Sequence, residues 1–446
     1  MIVNEKTIDK FISNSFEIDC IDIRLTQKKN KDPIVYTGPG TIYQDEHGIL
    51  QLKLYSKLSD ADKEIPHHFK HHKPGKIIPN DYFFTLKATD MSGNEWLADN
   101  IWISVNVSST LTNVIIKSKL DEIKTIELKE ARANAEKNYL HIIIPGQYKI
   151  PCNEKESLSN GGWRLNRAVF STNEINFEFK KYDGYLIIYA YAKTQYLDKN
   201  VYLKLIEALS IITGFTVRPM VITSTKKDKE ISEIRSVDNS FSNKELSPPF
   251  KHFSTTEFES FIGFIGKYLT NIKDPFSDLF GFWLKINRAW QSSVMYSDLA
   301  IAVSVEGIVN TYFMDKWAPD KKRIKSAELA KRLIEGCGLD LDIRNYLLSS
   351  AGRFGLATSK NILYKLVESN NIEKRLVDQW DKLRNKAVHP INFENDPVKK
   401  QKYIDLIFAS LVLFYQLIFI MIKYEGKYID YTEKNWPEKE FNLKKE

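Results

Sequence analysis

The period of the hydrophobic pattern changes once along this chain of 446 residues. Between about residues 16 and 225, apolar and polar residues alternate, as at Leu50, Leu52 and Leu54, and turn-forming residues separate the alternating segments. Beyond residue 257, apolar residues recur every three or four positions, which is typical of helices that pack in a bundle. We therefore predict an α+β fold. A β-rich N-terminal domain, built as a sandwich or barrel with one or two helices, precedes an all-α helical bundle.

Three local patterns predict elements within the N-terminal half. Residues 82–89 and 101–107 are predicted to pair as strands around a turn at residues 92–94. Residues 183–184, an Asp-Gly pair, are predicted to turn a β-hairpin, since alternating residues flank them on both sides. Residues 201–213 carry Leu and Ile on one helical face and precede a glycine, which predicts a helix that ends there.

Composition separates the two halves of the chain. From residue 226 onward the chain is rich in lysine, serine and asparagine, and a proline pair closes this stretch. We therefore predict a sensor or regulatory domain over residues 1–230, a linker over 231–256 and the helical bundle over 257–446.

Charge and cysteine content limit the class of protein. Lys and Arg number 64 against 57 Asp and Glu, and the resulting net charge of +7 mildly favours polyanionic partners such as RNA. Cys20, Cys152 and Cys337 form neither a disulfide framework nor a zinc motif, which suits a reducing compartment. The first residues lack the basic start and apolar run of a signal peptide. We therefore predict a cytoplasmic protein.

One segment raises the alternative of membrane attachment. Residues 404–422 are almost wholly apolar and nearly long enough to span a bilayer. They also contain Asp405, Ser410 and Gln416, and a helix buried on most of its faces inside a bundle has the same composition. We predict a buried helix and no membrane, with a membrane-attached effector as the alternative.

A histidine-rich stretch contains His67, His68, His71 and His72, whose four-residue spacings would suit a metal ion on a helix. Prolines bracket the stretch and lysines interrupt it, so a solvated basic loop is the preferred interpretation. The chain also lacks the GxSxG, HExxH and Walker motifs, and the acidic cluster of two-metal nucleases. We predict neither a metal nor another cofactor.

The strongest functional signal is the sequence Arg384-Asn385-Lys386-Ala387-Val388-His389, which Pro390 follows. Proline disfavours the α conformation in the residue before it, so the helix predicted over residues 373–388 ends at or before His389. Asn385 and His389 then lie four positions apart on one helical face, with Arg384 beside them. A cation, an amide and an imidazole, without a carboxylate or cysteine set, indicate phosphate binding and proton transfer rather than a metal site.

Arg384 and Asn385 with His389 resemble the Arg-Asn-x-x-x-His signature of HEPN domains, a family of helical bundles that includes many metal-independent endoribonucleases. The resemblance extends from near Phe250 to near Tyr424. It implies RNA cleavage by attack of the 2′-hydroxyl, with a 2′,3′-cyclic phosphate and a 5′-hydroxyl as products, and no cleavage of DNA. It also implies a homodimer through the helical domain, since in this family two motifs usually meet in one composite cleft.

The chemistry of each side chain suggests a role in such a site. His389 is the candidate general acid or base, because imidazole titrates near neutrality. Arg384 would stabilise charge on the phosphate, Asn385 would orient the imidazole or a phosphate oxygen, and Lys386 would attract the phosphate as a supporting residue. The alternative for the motif is an arginine that caps a helix beside a surface histidine.

Glu306 is the second supporting residue, because it is an acid within an otherwise apolar helix. A buried carboxylate without a partner is costly, so Glu306 is expected to have a cationic or hydrogen-bonding partner. HEPN domains often carry an acid on an early helix near the Arg–His pair, which implies Arg384 or His389 as that partner. A structural pair with another base, or an exposed position, is the alternative.

The order of a β-rich domain before a HEPN-like domain resembles the ApeA-type antiviral proteins of prokaryotes. This resemblance implies a toxin-like effector of abortive infection that cuts cellular RNA, with tRNA as one candidate substrate. The β-rich domain would then sense a phage-derived trigger or restrain the nuclease. Two alternatives stay open: a non-catalytic HEPN module that binds RNA, nucleotides or a protein, and a toxin held by a separate antitoxin.

Overall fold

The structure is a computed structural model that describes residues 5–29, 31–57, 75–107, 113–128, 138–157, 161–193, 197–226, 229–238, 244–251, 257–316, 321–354, 357–387 and 396–444. The chain divides into two compact units. The first comprises Met1–Tyr202 and Val217–Ser242, and the second comprises Leu203–Thr216 and Asn243–Glu446. An antiparallel sheet dominates the first unit and helices dominate the second, which confirms the predicted α+β class.

A single antiparallel sheet of fifteen strands forms most of the first unit. In chain order the strands are β1 Glu17–Gln27, β2 Val35–Gln44, β3 Leu50–Lys57, β4 Phe84–Asp90, β5 Glu95–Ile101, β6 Ser104–Val107, β7 Asn113–Leu120, β8 Glu122–Leu128, β9 Tyr139–Pro145, β10 Glu154–Ser157, β11 Trp163–Thr172, β12 Ile175–Tyr182, β13 Tyr185–Ala192, β14 Val221–Lys226 and β15 Lys229–Arg235. Their order across the sheet is β10-β11-β12-β13-β9-β14-β15-β8-β5-β4-β1-β2-β3-β7-β6.

The interior of this unit joins strands that are far apart in that order. Leu52 on β3 and Ile234 on β15 belong to one apolar core, together with Phe11 of the N-terminal helix α1 (Glu5–Ile12). A sheet of this many strands rarely stays open, and the shared core shows that it curls around a common interior.

The predicted pairing of residues 82–89 with 101–107 is wrong. Strand β4 pairs instead with β5, with Phe84 opposite Ile101 and Thr89 opposite Glu95, while β6 pairs with β7. The reason is the turn at Asp90, whose carboxylate accepts hydrogen bonds from the Ser92 and Asn94 backbone N–H groups at 2.8 and 2.9 Å. The chain therefore reverses directly into Glu95–Ile101. The hairpin predicted at residues 183–184 is confirmed, with Tyr182 opposite Tyr185.

Two segments lie elsewhere than the sequence predicted. The first residues of the predicted linker, 231–235, belong to strand β15, which pairs with β8 and β14. The helix predicted over 201–213 is present as α2 (Lys199–Thr213), but from Leu203 onward it belongs to the helical unit. The amphipathic pattern of α2 predicts that one face of the helix is buried, but it does not indicate which unit covers that face.

The second unit contains the remaining helices. They are α3 Phe258–Asn271, α4 Asp278–Ser292, α5 Asp298–Tyr312, α6 Lys321–Gly336, α7 Leu341–Phe354, α8 Ser359–Glu368, α9 Lys374–Ala387 and α10 Pro397–Ile422. Helix α10 lies at the centre and packs against α3, α5 and α9. Among the described residues, α10 is the one helix that is long enough and apolar enough to cross a membrane. However, 72% of its most apolar stretch is buried within the protein. This is the environment of a core helix, as predicted for residues 404–422.

The predicted all-α composition of residues 257–446 is wrong at the C-terminal end. After α10 the chain forms a two-stranded hairpin, β16 (Gly426–Ile429) paired with β17 (Glu438–Phe441). Asp430 follows β16 directly, is fully buried, and binds basic side chains from β17 and α9. The hairpin is thus joined to the bundle by the buried carboxylate of Asp430 and by the contact of the Phe441 ring with Phe419 of α10.

His141 on β9 makes the stability of the sheet unit depend on pH. Burial lowers the pKa of His141 from 6.5 to about 4, although Glu230 nearby acts in the opposite direction. Neither ring nitrogen has a hydrogen-bond partner in the described part of the chain. Between pH 6.5 and about 4, His141 is protonated in the unfolded state but not in the folded state. The free energy of unfolding is therefore highest above pH 6.5 and falls as the pH drops toward 4.

We expect the protonation of His141 to lower the free energy of unfolding by roughly 3 kcal/mol at about pH 4. The variant His141→Phe keeps the ring that stacks on Tyr189 and cannot titrate. Denaturant unfolding of both proteins across this pH range measures the effect. The wild type alone should lose stability steeply, and equal slopes in the two proteins would show that another group is responsible.

Candidate functional site

Helices α5 and α9 lie side by side and carry the site. The buried indole of Trp380 donates a hydrogen bond from Nε1 to the Ala302 carbonyl oxygen at 3.1 Å. One turn later on each helix, Arg384 contacts Glu306. From the first contact to the second, the residue numbers increase on both helices, so α5 and α9 run parallel where they touch. The Trp380 hydrogen bond and the Arg384 contact thereby fix the last turns of α9 against α5.

Arg384 and Glu306 form a two-pronged ion pair. The guanidinium donates from Nε to Oε2 at 2.9 Å and from Nη2 to Oε1 at 3.1 Å. This fork geometry fixes the plane of the guanidinium and leaves Nη1 outside the pair. The side chains of Arg384 and Glu306 are 46% and 30% exposed, so Glu306 lies at the exposed edge of the apolar helix, which was the alternative to a buried position. The HEPN resemblance implied Arg384 or His389 as the partner of Glu306, and the contact is with Arg384.

The rest of the motif lies at the end of α9. Asn385 and Lys386 are exposed in its last turn, and the helix ends at Ala387. His389 lies outside the described residues, as does the histidine-rich stretch that includes His67, His68, His71 and His72. The position of His389 beside Arg384 therefore rests on the spacing of the sequence alone.

Two polar residues that the sequence analysis missed extend the site along α5. Asn310 lies one turn after Glu306, and its Oδ1 accepts a hydrogen bond from the Ser359 hydroxyl at 2.7 Å. Ser359 is the first residue of α8, so this bond joins a third helix to the pair. The four-residue spacing from Glu306 predicts that Asn310 lies on the same face of α5, so this residue could have been found from the sequence. No sequence pattern predicts that Ser359 lies beside them.

Helix α8 is held against α9 by further polar contacts. Lys360 forms an ion pair with Asp381 at 2.7 Å, and the Tyr364 hydroxyl donates to Asp378 at 2.5 Å. The hydrogen bond to Asp378 raises the pKa of Tyr364 to about 12, so this phenol is protonated and cannot serve as a base near neutrality. These contacts stabilise the helix that bears the motif.

An exposed apolar strip leads along α5 to the ion pair. Leu299 and Val303 are about half exposed and lie one turn apart, and Tyr296 is exposed just before the helix. Glu306 continues the same side of the helix. Large apolar side chains grouped beside a charged site are typical of a surface that another molecule covers.

The described residues contain no group of three or more His, Cys, Asp or Glu side chains that could hold a metal ion. Comparisons with protein-family models, with curated proteins and with solved structures give no match to this chain.

Proposed function

We propose that the protein is a metal-independent endoribonuclease of the HEPN type, with Arg384, Asn385 and His389 as its catalytic residues and Glu306 and Lys386 in support. The observation that carries the proposal is the fixed, partly exposed guanidinium of Arg384. A cation held in plane by a carboxylate at an exposed helix end is prepared to receive a phosphate before the substrate arrives.

The proposed mechanism uses the chemistry of RNA itself. The 2′-hydroxyl attacks the adjacent phosphate, and the 5′-oxygen leaves after protonation. Arg384 stabilises the charge that develops on the phosphate oxygens, while His389 transfers protons as acid or base. Glu306 orients the guanidinium, Asn385 orients the imidazole or a phosphate oxygen, and Lys386 adds attraction for the phosphate. DNA lacks the attacking hydroxyl and is not cut.

The proposed active form is a cytoplasmic homodimer. A single His389 in each copy supplies one proton-transfer group, and cleavage requires both removal and delivery of a proton. Two copies that meet near the Leu299 and Val303 strip would bring both motifs to one groove. A strictly monomeric protein that still cuts RNA would contradict the composite site.

The proposed biological role is antiviral. The nuclease would cut cellular RNA, including tRNA, as an effector of abortive infection, because unpaired loops present flexible nucleotides to a shallow site. The sheet unit would sense a phage-derived trigger or restrain the nuclease until infection. Restraint is required, since an unrestrained ribonuclease would be toxic to its host.

The test is incubation of the purified protein with RNA and with DNA of the same sequence, in EDTA. We expect cleavage of RNA only, with cyclic-phosphate ends, and its loss in His389→Ala. Lys382→Ala, which removes an exposed cation from the same helix, is the matched control and should retain activity. Cleavage that persists in His389→Ala refutes the site. RNA binding without cleavage favours a non-catalytic module, and activity that appears only after removal of a co-purified protein favours a toxin held by an antitoxin.

A further inference from the structure

Four adjacent strands at one end of the sheet contain lysines and no acidic residue. They are β2, β3, β7 and β6, which neighbour one another in this order. Their sequences include Lys53, Lys57, Lys117 and Lys119 but neither Asp nor Glu. Lys53 lies directly opposite Lys117, and the other two lysines are an even number of residues away along the same strands. All four side chains therefore lie on one face of the sheet, where they form the lysine strip.

The lysine strip faces away from the core of the unit. The opposite face of the same strands is buried, as Leu52 and Ile116 show. Lys53 is half-buried, and the other three lysines are exposed. Among the described residues, no acidic side chain forms an ion pair with a lysine of the strip. The strip is thus an exposed group of four cations without local countercharges.

Two cross-strand contacts elsewhere in the sheet pair opposite charges. Lys87 on β4 contacts Glu95 on β5 at 2.7 Å, and Arg167 on β11 contacts Glu178 on β12 at 2.9 Å. Like charges directly opposite each other on neighbouring strands are destabilising instead. The position of Lys53 opposite Lys117 therefore costs stability unless an anion lies over both ammonium groups.

Protection of the sheet edge does not explain the lysine strip. Lysines often protect the outermost strand of a sheet from pairing with another chain. Here the outermost strand is β6, whose sequence SVNV carries no charge. The lysines lie instead on β3 and β7, which are paired on both sides. A ligand for the lysines explains this placement better than edge protection does.

Acidic residues border the lysine strip without covering its centre. Asp19 on β1 lies two strands from Lys53, roughly 10 Å across the sheet, and one strand further from Lys117. This separation is about the distance over which salt screens exposed charges. Asp45 and Asp121 lie beyond the Lys119 end of the strip, and Asp45 accepts hydrogen bonds from Gln51 and from two backbone N–H groups. The centre of the strip therefore stays basic.

An aromatic side chain lies among these cations. Tyr55 on β3 is on the same face, opposite Ile115 on β7, and it is 45% exposed. The Lys53 ammonium lies 5.0 Å from the centre of the Tyr55 ring. Exposed aromatic rings among basic side chains let a protein bind bases by stacking and phosphates by charge.

We propose that the lysine strip and Tyr55 bind single-stranded nucleic acid. The lysines contact phosphates, and the Tyr55 ring stacks on an unpaired base. Strand β3 has eight residues and extends over roughly 26 Å, which accommodates several nucleotides. The surface belongs to the sheet unit, so binding does not depend on the proposed nuclease activity. If the sheet unit is a sensor, single-stranded nucleic acid is the class of ligand that it senses.

Other polyanions fit this surface less well. A nucleic acid duplex keeps its bases stacked inside, and a flat sheet face does not enter the grooves in which a duplex is recognised. An anionic membrane is attracted by lysines, but stable binding also needs apolar side chains that insert. Beside the lysines of β3 and β7, the strip offers Tyr55 and the half-buried Ile115 for that purpose.

The test is fluorescence anisotropy of a labelled oligodeoxythymidine of about twelve nucleotides with the full chain. DNA is the probe because the proposed nuclease does not cut it. We expect the dissociation constant to rise roughly tenfold or more in the double variant Lys53→Ala, Lys117→Ala. The matched control Lys87→Ala, Lys229→Ala removes two exposed lysines from other strands of the same unit and should leave binding unchanged. Unchanged affinity in Lys53→Ala, Lys117→Ala overturns the proposal.

The salt dependence and the stability of the same double variant provide further readouts. Each phosphate contact of a single strand contributes about 0.7 to the slope of log affinity against log salt, so the slope should fall by about 1.4. Urea unfolding should show that the variant is at least as stable as the wild type, because a repulsive pair is removed. A variant that binds weakly because it is less stable would contradict a role of these lysines in binding.

Substitutions of Tyr55 distinguish base stacking from general attraction to anions. Tyr55→Ala should weaken binding roughly fivefold or more, whereas Tyr55→Phe keeps the ring and should bind like the wild type. Full affinity in Tyr55→Ala overturns the proposal, since a surface for polyanions in general would not need the ring. Phosphatidylserine vesicles that bind through the same lysines, without competition from the oligonucleotide, also overturn it and assign the surface to a membrane.

An oligouridine of the same length, measured in His389→Ala, shows whether RNA or DNA is bound more tightly. Binding of either strand through the lysine strip supports the proposal, and binding of neither overturns it. Since the substituted residues lie in the sheet unit and the main probe is DNA, failure of this proposal leaves the nuclease proposal untouched. RNA cleavage by the wild type is measured separately, so the two failures are distinguishable.

Discussion

Arg384→Ala is expected to lower the rate of RNA cleavage by about 10²- to 10³-fold, the usual effect of removing one group that stabilises charge in a transition state. The protein should remain folded, because Arg384 is half exposed and its ion pair with Glu306 lies at the surface. Exposed pairs of this kind contribute only about 0–1 kcal/mol to stability. The substitution therefore separates catalysis from folding.

Arg384→Lys makes the prediction more specific. Lysine keeps the charge but lacks the planar fork, so it cannot contact both Glu306 oxygens and a phosphate in one plane. We expect activity between those of the wild type and Arg384→Ala. Single-turnover cleavage of a short RNA measures all three proteins beside the control Lys382→Ala. Full activity in Arg384→Ala would exclude this residue from the reaction.

The sequence predicted the fold class because the hydrophobic period changes from two to about 3.6 along the chain. An acid in an apolar helix needs a partner, so the sequence predicted that Glu306 has one. Only the HEPN resemblance implied Arg384 or His389 as that partner, and the contact is with Arg384, 78 positions away. Ser359 could not be found in this way. Its contact with Asn310 depends on how α8 docks, and local spacing carries no information on docking.

The order of the strands in the sheet could not be predicted either, because local spacing carries no information on which strands meet. Strand β9 lies between β13 and β14, and β8 lies between β15 and β5. Each strand pattern shows which face is buried but does not name the partner strand. Residues 101–107 do not pair with β4 because Asp90, just before the predicted turn, accepts hydrogen bonds from the backbone of Ser92 and Asn94 and so directs the chain into β5 at Glu95. The hydrogen bonds of this one turn therefore determine that β4 pairs with β5.

Asp430→Ala is expected to lower the free energy of unfolding of the helical unit by about 3–5 kcal/mol, the usual cost of removing one partner from a buried ion pair. Asp430 is fully buried and accepts hydrogen bonds or ion pairs from Arg375 Nη2 at 2.8 Å and Lys439 Nζ at 2.7 Å. The backbone N–H of Thr432 also donates to it at 2.9 Å. Without the carboxylate, Arg375 and Lys439 keep only the more exposed acids Glu373 and Glu433 as partners.

The same carboxylate predicts a dependence on pH. Burial alone would raise the pKa of Asp430, but the bonds from Lys439, Thr432 and Arg375 outweigh it and lower the pKa to about 2. A depressed pKa means that the stabilisation is complete above the unfolded value of about 3.9 and is lost as the pH falls toward 2. Asp430→Ala should therefore differ most from the wild type near neutrality, with the difference shrinking in acid.

Glu433→Ala provides the matched control, because Glu433 binds the same Lys439 at 2.6 Å from an exposed position. Its loss should cost less than about 1 kcal/mol. Denaturant unfolding followed by the helical circular dichroism signal compares the three proteins. Since Arg375 lies in the first turn of α9, Asp430 anchors the start of the helix whose last turn carries Arg384. Equal stability of Asp430→Ala and Glu433→Ala would show that the C-terminal hairpin does not hold this helix in place.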